Sequence, residues 1–199
     1  MARSILELEM KIMEMTAELR RLQRELPGQI VSNYDFDTVD GKRTLHDFFA
    51  GQKKLLVIHN MGQACRYCTL WGDGINPYVS HLETVMSVIM VSKDAPDVQR
   101  KFANSRQWRM RMASHGGGVY MKEQVAADGM GNMPGAVVYE LVEGEIHRKA
   151  STYFGPGDLY CPQWHFLGLA GIDIGDWTPQ YNYWQRPKEM EDGGENLPD

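Results

Sequence analysis

The sequence has few cysteines, no long apolar run and no excess of positive charge. Its 199 residues include three cysteines, an odd and small number that does not suit a framework of structural disulfides. Its longest apolar runs, such as Leu55–Ile58, fall far short of the ~20 residues of a membrane-spanning helix. The formal net charge of -5 argues against nucleic acid as the partner, because nucleic-acid binders concentrate Lys and Arg.

The N-terminal segment also lacks the features of an export signal. Glu7, Glu9 and Glu14 lie among its apolar residues, whereas a signal needs a basic head followed by an uninterrupted apolar stretch. We therefore expect a cytoplasmic protein that associates with neither membrane nor nucleic acid. In a reducing cytosol a close pair of cysteines is expected to be catalytic or metal-binding.

The composition fits one globular domain with short appendages, since 43% of the residues are hydrophobic and 24% are charged. Residues 3–26 contain neither Pro nor Gly and are rich in Leu, Met, Glu and Arg, which predicts a long helix. Leu26-Pro27-Gly28 ends it. We expect residues 1–28 to form a helical arm, 29–185 the domain, and 186–199 a mobile acidic tail.

Within the domain, apolar runs and helical patterns follow one another. The predicted strands are a hairpin around the Asp40-Gly41 turn, Lys53–Met61, Val85–Ser92, and a second hairpin of Ala136–Val142 with Glu145–Ala150. Helices are predicted from Asn76-Pro77 onward, over Asp94–Trp108, and within Pro156–Leu169. Residues 109–131 give no clear pattern, although Trp108–Ala113 could hold a short strand. This order predicts an α/β domain with a mixed sheet covered by helices.

The most informative motif is Cys65-Arg66-Tyr67-Cys68, directly after the predicted central strand. Two thiols at this spacing can close a small disulfide when the first lies at a helix N-terminus. Arg66 and the helix dipole are both expected to favour the thiolate, which is the attacking species. We predict Cys65 as the nucleophile and Cys68 as the resolving thiol, with Arg66 and Tyr67 as supporting residues.

Other interpretations of the pair remain open at this point. Cys161 and His165, four residues apart, could complete a zinc site with Cys65 and Cys68. The two thiols could also be inert and pack as small hydrophobic side chains. A non-catalytic binding domain is a further possibility, because fold does not fix function.

Three further features have a functional and a structural interpretation. His59, six residues before Cys65, could aid proton transfer or be a satisfied polar residue at a strand end. The glycines at 116–118 lack the Lys and Ser or Thr of a phosphate loop, so we expect a flexible loop. Aromatic residues near the C-terminus could line a groove, but we expect them to pack against the core; they are Trp177, Tyr181, Tyr183 and Trp184.

The order of central strand, paired cysteines, strand, helix and Pro-led hairpin resembles thioredoxins and peroxiredoxins over roughly residues 30–170. Several short motifs look more closely like a bacterial thioredoxin-like family of unknown function, namely Tyr34-Asp35-Phe36, the cysteine motif, Trp71-Gly72-Asp73-Gly74, Ser151-Thr152-Tyr153 and Leu167-Gly168-Leu169. The resemblance implies a thioredoxin-like three-layer fold with a central mixed β-sheet and a long N-terminal helix. It also implies that the Met133–Pro134 bond is cis and faces the cysteine pair.

The sequence departs from these families in three places. Typical thioredoxins have Trp directly before the first cysteine, where this chain has Ala64. Gly72 and Asp73-Gly74 are expected to break the helix after the pair. Peroxiredoxins normally have Thr three residues before the nucleophile, where this chain has Gly62.

The resulting hypothesis is a thiol-disulfide oxidoreductase that needs no cofactor. Its substrate would be a disulfide-containing protein or a small thiol, and its main enzymatic alternative is a peroxiredoxin-like peroxidase.

The predicted N-terminal helix carries apolar residues in alternating steps of three and four. They are Ile5, Leu8, Ile12, Met15, Leu19, Leu22 and Leu26. This is the heptad pattern with which one helix packs against another. We expect a homodimer formed through this helix; the alternative is that the same residues pack against their own domain.

Overall fold

A computed structural model describes residues 4–125 and 131–180. The α-helices are α1 (Ile5–Glu25), α2 (Arg66–Ile75), α3 (Val79–Leu82), α4 (Pro96–Ser105), α5 (Val119–Gln124) and α6 (Pro162–Leu169). The strands are β1 (Gln29–Ile30), β2 (Asp35–Thr38), β3 (Gly41–Thr44), β4 (Lys54–His59), β5 (Ser87–Ser92), β6 (Arg111–Ser114), β7 (Gly135–Val142) and β8 (Glu145–Tyr153). Short 3-10 helices span His46–Phe49, Asn76–Tyr78 and Ile174–Asp176.

The strands form one mixed sheet in the order β1-β8-β7-β4-β5-β6-β2-β3. Strands β4, β5 and β6 run parallel, and the remaining pairings are antiparallel. The apolar run at 54–59 forms the central strand, because such a run suits a strand whose two faces are both covered. Its last residue, His59, pairs with Gly135 of β7 and with Val91 of β5.

Successive residues of the central strands enter two separate cores, one on each face of the sheet. Val57, Ile89 and Tyr139 belong to the core beneath α5 and the 3-10 helix at His46–Phe49. The opposite core contains Ile58 and Met90 with side chains from α2, α4 and α6. Helices therefore cover both faces, and the predicted three-layer α/β architecture with a central mixed sheet is confirmed.

Interactions between residues of its own segment stabilise helix α1. Ser4 and Glu7 make a reciprocal capping box at its start, and Arg21 bonds the carboxylates of Glu18 and Glu25. None of its residues is buried. The predicted long helix is thus present, and local interactions stabilise it.

The prediction that glycines break the helix after the cysteines is wrong, because α2 runs unbroken through them. Gly72 lies beneath the Trp108 indole, where an added Cβ would come within 2.4 Å of Cζ2. Asp73 accepts a hydrogen bond from Trp108 Nε1 at 2.8 Å and forms an ion pair with Arg106. These tertiary contacts outweigh the poor helix propensity of glycine.

Strand β1 and helix α5 are among the elements that the sequence patterns missed. Strand β1 extends the sheet by pairing with β8, and α5 begins directly after the 116–118 glycines, with Gly118 as its N-cap. Trp177 packs against Trp164 at a centroid distance of 5.9 Å, as expected. Tyr181, Tyr183, Trp184 and the predicted tail at 186–199 lie outside the described residues. Within 4–125 and 131–180, no helix has both the length and the apolarity to cross a membrane.

Candidate redox site

Cys65 is the N-cap residue of α2, and a five-residue loop connects it to the end of β4. The loop is held from within: Gly62 N–H donates to Asn60 Oδ1 at 2.8 Å, and Cys65 N–H donates to the Gly62 carbonyl at 3.0 Å. Asn60 N–H in turn donates to the Val91 carbonyl at 2.9 Å. The cysteines therefore lie beyond the carboxyl ends of parallel strands, where α/β proteins place their reactive groups.

Gly62 fits this loop for two reasons. Its φ of +119° lies in the region that favours glycine. A Cβ there would meet the Asp94 carboxylate at 2.8 Å, and the same carboxylate accepts the Gln63 N–H at 2.7 Å. The position that is Thr in peroxiredoxins is thus shaped for a residue without a side chain.

The two cysteine side chains are in different environments. Cys65 is partly accessible, whereas Cys68 is 2% exposed. The Cys68 N–H donates to Cys65 Sγ at 3.1 Å, and the Met61 N–H donates to Cys68 Sγ at 3.4 Å. Both thiols are free in this structure.

This arrangement separates the pKa values of the two thiols. A hydrogen bond from the Cys68 side chain, followed by backbone N–H groups of Cys68 and Tyr67, lowers the pKa of Cys65 to about 6 against the opposing effect of burial. The pKa of Cys68 is raised far above its usual value by the same side-chain bond and by burial. Near neutral pH Cys65 is the thiolate and Cys68 the proton-bearing thiol.

Aromatic packing fixes the helix that carries the pair. Tyr67 packs against both Trp71 and Trp164, with centroid distances of 6.2 and 6.3 Å, while Arg66 is exposed at the start of α2. Trp71 Nε1 donates to Asp158 Oδ2 at 2.8 Å, and the Cys161 N–H donates to Asp158 Oδ1 at 3.0 Å. Asp158 thus joins α2 to the loop before α6, and no local sequence pattern marks it as a residue of the site.

Pro134 directly precedes β7, which begins at Gly135, but its peptide bond does not have the predicted isomer. Because His59 pairs with Gly135, Pro134 stands beside the start of the cysteine loop, and Asn132 Nδ2 donates to the Met61 carbonyl at 3.1 Å. No cis peptide bond occurs in the described residues, so the expected cis Met133–Pro134 bond is wrong. With the bond in trans, the Pro134 carbonyl accepts a hydrogen bond from the Phe154 N–H at 2.8 Å. Trans is also the preferred isomer of X–Pro bonds.

The side chain of His59, a possible aid to proton transfer, lies on the α5 side of the sheet, against Tyr120 of the core beneath α5. It lies on the same face of β4 as Val57, two residues earlier, and its Nε2 is 2.7 Å from the Tyr120 hydroxyl. Burial lowers its pKa to about 3, so the ring is neutral near pH 7. We correct the prediction accordingly: His59 is a buried polar residue of the α5 side, facing away from α2.

The described residues do not assemble the zinc site that the sequence left open. Cys161 is buried as the N-cap of α6, and His165 is exposed. Across residues 4–125 and 131–180 no group of three or more His, Cys, Asp or Glu side chains could hold a metal ion. Cys161 and His165 thus do not join Cys65 and Cys68 in a ligand cluster.

A family model described as "Bacterial protein of unknown function (DUF899)" matches residues 1–189. The chain belongs to the DUF899 family. The matched region includes both helix α1 and the cysteine pair, so both belong to the extent of the family model. A comparison with curated proteins finds no match for this DUF899 chain.

Solved structures of peroxiredoxins are similar in fold. The Xanthomonas campestris bacterioferritin comigratory protein is 11% identical with a TM-score of 0.53, over 73% of this chain and 96% of that one. Peroxidoxin BcpB from Mycobacterium tuberculosis is 15% identical with a TM-score of 0.51, over 64% and 85%. Prx3 from Vibrio vulnificus is 15% identical with a TM-score of 0.50, over 66% and 89%. These likenesses confirm the predicted thioredoxin-like fold of the DUF899 chain.

Proposed function

We propose that the protein is a thiol-disulfide oxidoreductase in which Cys65 is the nucleophile and Cys68 the resolving thiol. One observation carries the proposal. The Cys65 sulfur, at a helix N-cap, receives hydrogen bonds that lower its pKa to about 6, while Cys68 is buried directly behind it. This gives an accessible thiolate beside a protected proton-bearing thiol, the arrangement that exchange with a substrate disulfide requires.

The reaction has two steps. The Cys65 thiolate attacks one sulfur of a substrate disulfide, forming a mixed disulfide and releasing the other sulfur as a thiolate that takes a proton from water. Cys68 then loses its proton and attacks Cys65 Sγ, forming the Cys65–Cys68 disulfide and releasing the second substrate thiolate. The substrate gains two electrons and the cysteine pair loses two; the reverse sequence oxidises a dithiol.

The shape of the site favours a disulfide presented at the protein surface. Cys65 is partly accessible and Arg66 beside it is exposed, so an incoming sulfur can approach from the side of the helix N-terminus. We propose a disulfide-containing protein or a small thiol as the partner, with no cofactor in the reaction.

Peroxide reduction is the second candidate, because the fold is shared with peroxiredoxins. The Cys65 thiolate would attack a peroxide oxygen and break the O–O bond, releasing an alcohol or water and forming a sulfenic acid. Cys68 would then form the disulfide and release water. Gly62 counts against this route, since its φ of +119° and the Asp94 carboxylate, 2.8 Å from an added Cβ, both disfavour the Thr that helps peroxiredoxins bind peroxide.

The test traps the first step. Cys68→Ser should accumulate a mixed disulfide with a model disulfide substrate, detected by mass spectrometry at the Cys65 peptide, while Cys65→Ser should form none. The wild-type protein should also reduce insulin disulfides in the presence of dithiothreitol faster than either variant does. Trapping at Cys68 in place of Cys65, or equal insulin reduction by Cys65→Ser, would overturn the assignment. Rapid consumption of hydrogen peroxide without disulfide exchange would favour the peroxidase.

A further inference from the structure

The α1 arm has an apolar face that its own domain leaves exposed. The seven residues of its heptad pattern are between 40% and 78% exposed, although each is a Leu, Ile or Met. Soluble monomers rarely expose contiguous apolar patches of this kind, and such patches mark interaction sites.

The domain borders the last turns of this helix. One cavity between α1 and the sheet is lined on the helix side by Arg20, Gln23 and Arg24, and a second is lined by Leu19 and Gln23, all in the last two turns. The chain then leaves at Leu26, whose carbonyl accepts a hydrogen bond from Lys149. The first turns carry Ile5 and Ile12, which are 78% and 58% exposed.

We propose that the arm is a dimerisation element that pairs with the α1 helix of a second copy in antiparallel orientation. The heptad pattern gives the facing residues: Ile5 and Ile12 are a positions, and Leu8 and Met15 are d positions. An antiparallel pair sets a positions against d positions, so Ile5 lies opposite Leu22 of the partner subunit and Leu8 lies opposite Leu19 of the partner subunit. The contact is two-fold symmetric and closes on itself.

The seam is the row of a and d residues that face the partner helix. The charges beside this seam select the relative orientation of the two helices. Lys11 and Glu18 both occupy g positions, and g positions face each other in an antiparallel pair. Each Lys11 then faces Glu18 of the partner subunit, and symmetry makes this ion pair twice. Within its own helix, Glu18 also accepts hydrogen bonds from Arg21 Nε and a terminal Arg21 nitrogen at 2.9 and 2.7 Å.

A parallel pair lacks this complementarity. There a g position faces an e position five residues further along the partner, so Lys11 faces Thr16 of the partner subunit and Glu18 faces Gln23 of the partner subunit. Both contacts join a charge to a neutral side chain. Charge pairing at a helix interface mainly sets partner and orientation, and here it favours the antiparallel dimer.

The first experiment measures the oligomeric state of the full-length protein by sedimentation equilibrium at micromolar concentration with reductant present. We expect a dimer whose dissociation constant rises at least tenfold in Met15→Glu. Met13→Glu is the matched control, because Met13 is exposed to a similar extent, 72% against 63% for Met15, but lies off the seam, and it should change the constant less than twofold. A wild-type monomer, or equal effects of the two variants, would overturn the proposal.

The second experiment tests orientation by charge exchange. Lys11→Glu should weaken the dimer, and the double variant Lys11→Glu/Glu18→Lys should restore it, because the two antiparallel ion pairs form again with reversed polarity. Circular dichroism should show unchanged helix content in both. A double variant weaker than the single one would contradict the antiparallel pairing.

A third experiment reads the orientation directly, in a background with Ser at positions 65 and 68. Leu8→Cys and Leu19→Cys proteins, mixed and oxidised, should form a disulfide between residues 8 and 19 of different copies, identified by mass spectrometry of the linked peptides. Neither protein alone should link to itself. Linkage of residue 8 to residue 8, or of residue 19 to residue 19, would show a parallel dimer and overturn the inference.

Discussion

The Cys68 side chain sets the acidity of Cys65, and removing it gives a graded test. The bond from the Cys68 side chain is the largest cause of the lowered Cys65 pKa. A hydrogen bond to a charged group contributes about 1.5–3 kcal/mol, which at 1.36 kcal/mol per pKa unit corresponds to roughly one to two pH units. We expect Cys68→Ala to raise the Cys65 pKa from about 6 by that amount. Cys68→Ser keeps a donor and should raise it less.

The assay is the pH dependence of alkylation by iodoacetamide, followed by mass spectrometry at the Cys65 peptide. The sign follows from the thiolate being the reactive form, so the rate falls as pH drops through the pKa. A thiol with pKa near 6 is about 90% ionised at pH 7, against about 3% for an ordinary cysteine with pKa near 8.5. A more acidic thiolate is also a weaker nucleophile, with a Brønsted coefficient of roughly 0.4–0.5. The midpoint is therefore more informative than the absolute rate.

Two results would refute this reasoning. A wild-type midpoint near pH 8.5 would show that the local hydrogen bonds do not stabilise the Cys65 thiolate. An unchanged midpoint in Cys68→Ala would show that the stabilisation comes from the backbone or from other charges, and would remove Cys68 from the explanation.

Three further predictions concern the framework, each measured by urea unfolding. Gly72→Ala should destabilise the protein by about 1–3 kcal/mol, because the added methyl group meets the Trp108 indole. Gly74→Ala is the control: an added Cβ there has nothing within 4 Å, so it should stabilise the protein by up to about 1 kcal/mol. Similar effects of the two variants would contradict the packing argument. His59 has a folded pKa of about 3, so the unfolded chain binds its proton first, and the free energy of unfolding should fall by up to about 1.4 kcal/mol per pH unit from pH 6.5 towards 3. His59→Gln should lessen that slope, and an unaltered slope would show that protonation of His59 does not cause the loss of stability. Asp158→Asn should cost about 1–3 kcal/mol through its hydrogen bonds to α2 and the following loop, and a neutral result would show that the carboxylate is dispensable.

The sequence predicted those elements whose causes are local. The long helix was confirmed because capping and spacing within 4–25 suffice for it, and the strand at 54–59 was marked by its continuous apolar run. The position of the cysteine pair followed from that strand. Propensity and periodicity act over a few residues, and these features need no more.

The incorrect predictions depended on contacts between distant parts of the chain. Continuity of α2 through Gly72 requires Trp108, which no local pattern connects to it. The side of the sheet occupied by His59 depends on the strand register and on Tyr120. The isomer at Pro134 was inferred from resemblance alone, and the segment's contacts with Met61 and Phe154 are made in trans.

The most direct test of the proposed redox pair is an equilibrium titration of the full-length protein in glutathione buffers, with the Cys65 and Cys68 peptides read by mass spectrometry. The account predicts a reversible disulfide between these two cysteines, with Cys161 remaining reduced. As a two-electron couple it should change tenfold in its oxidised-to-reduced ratio for each ~30 mV. No link between Cys65 and Cys68 at any potential, or stoichiometric zinc bound at the pair, would contradict it.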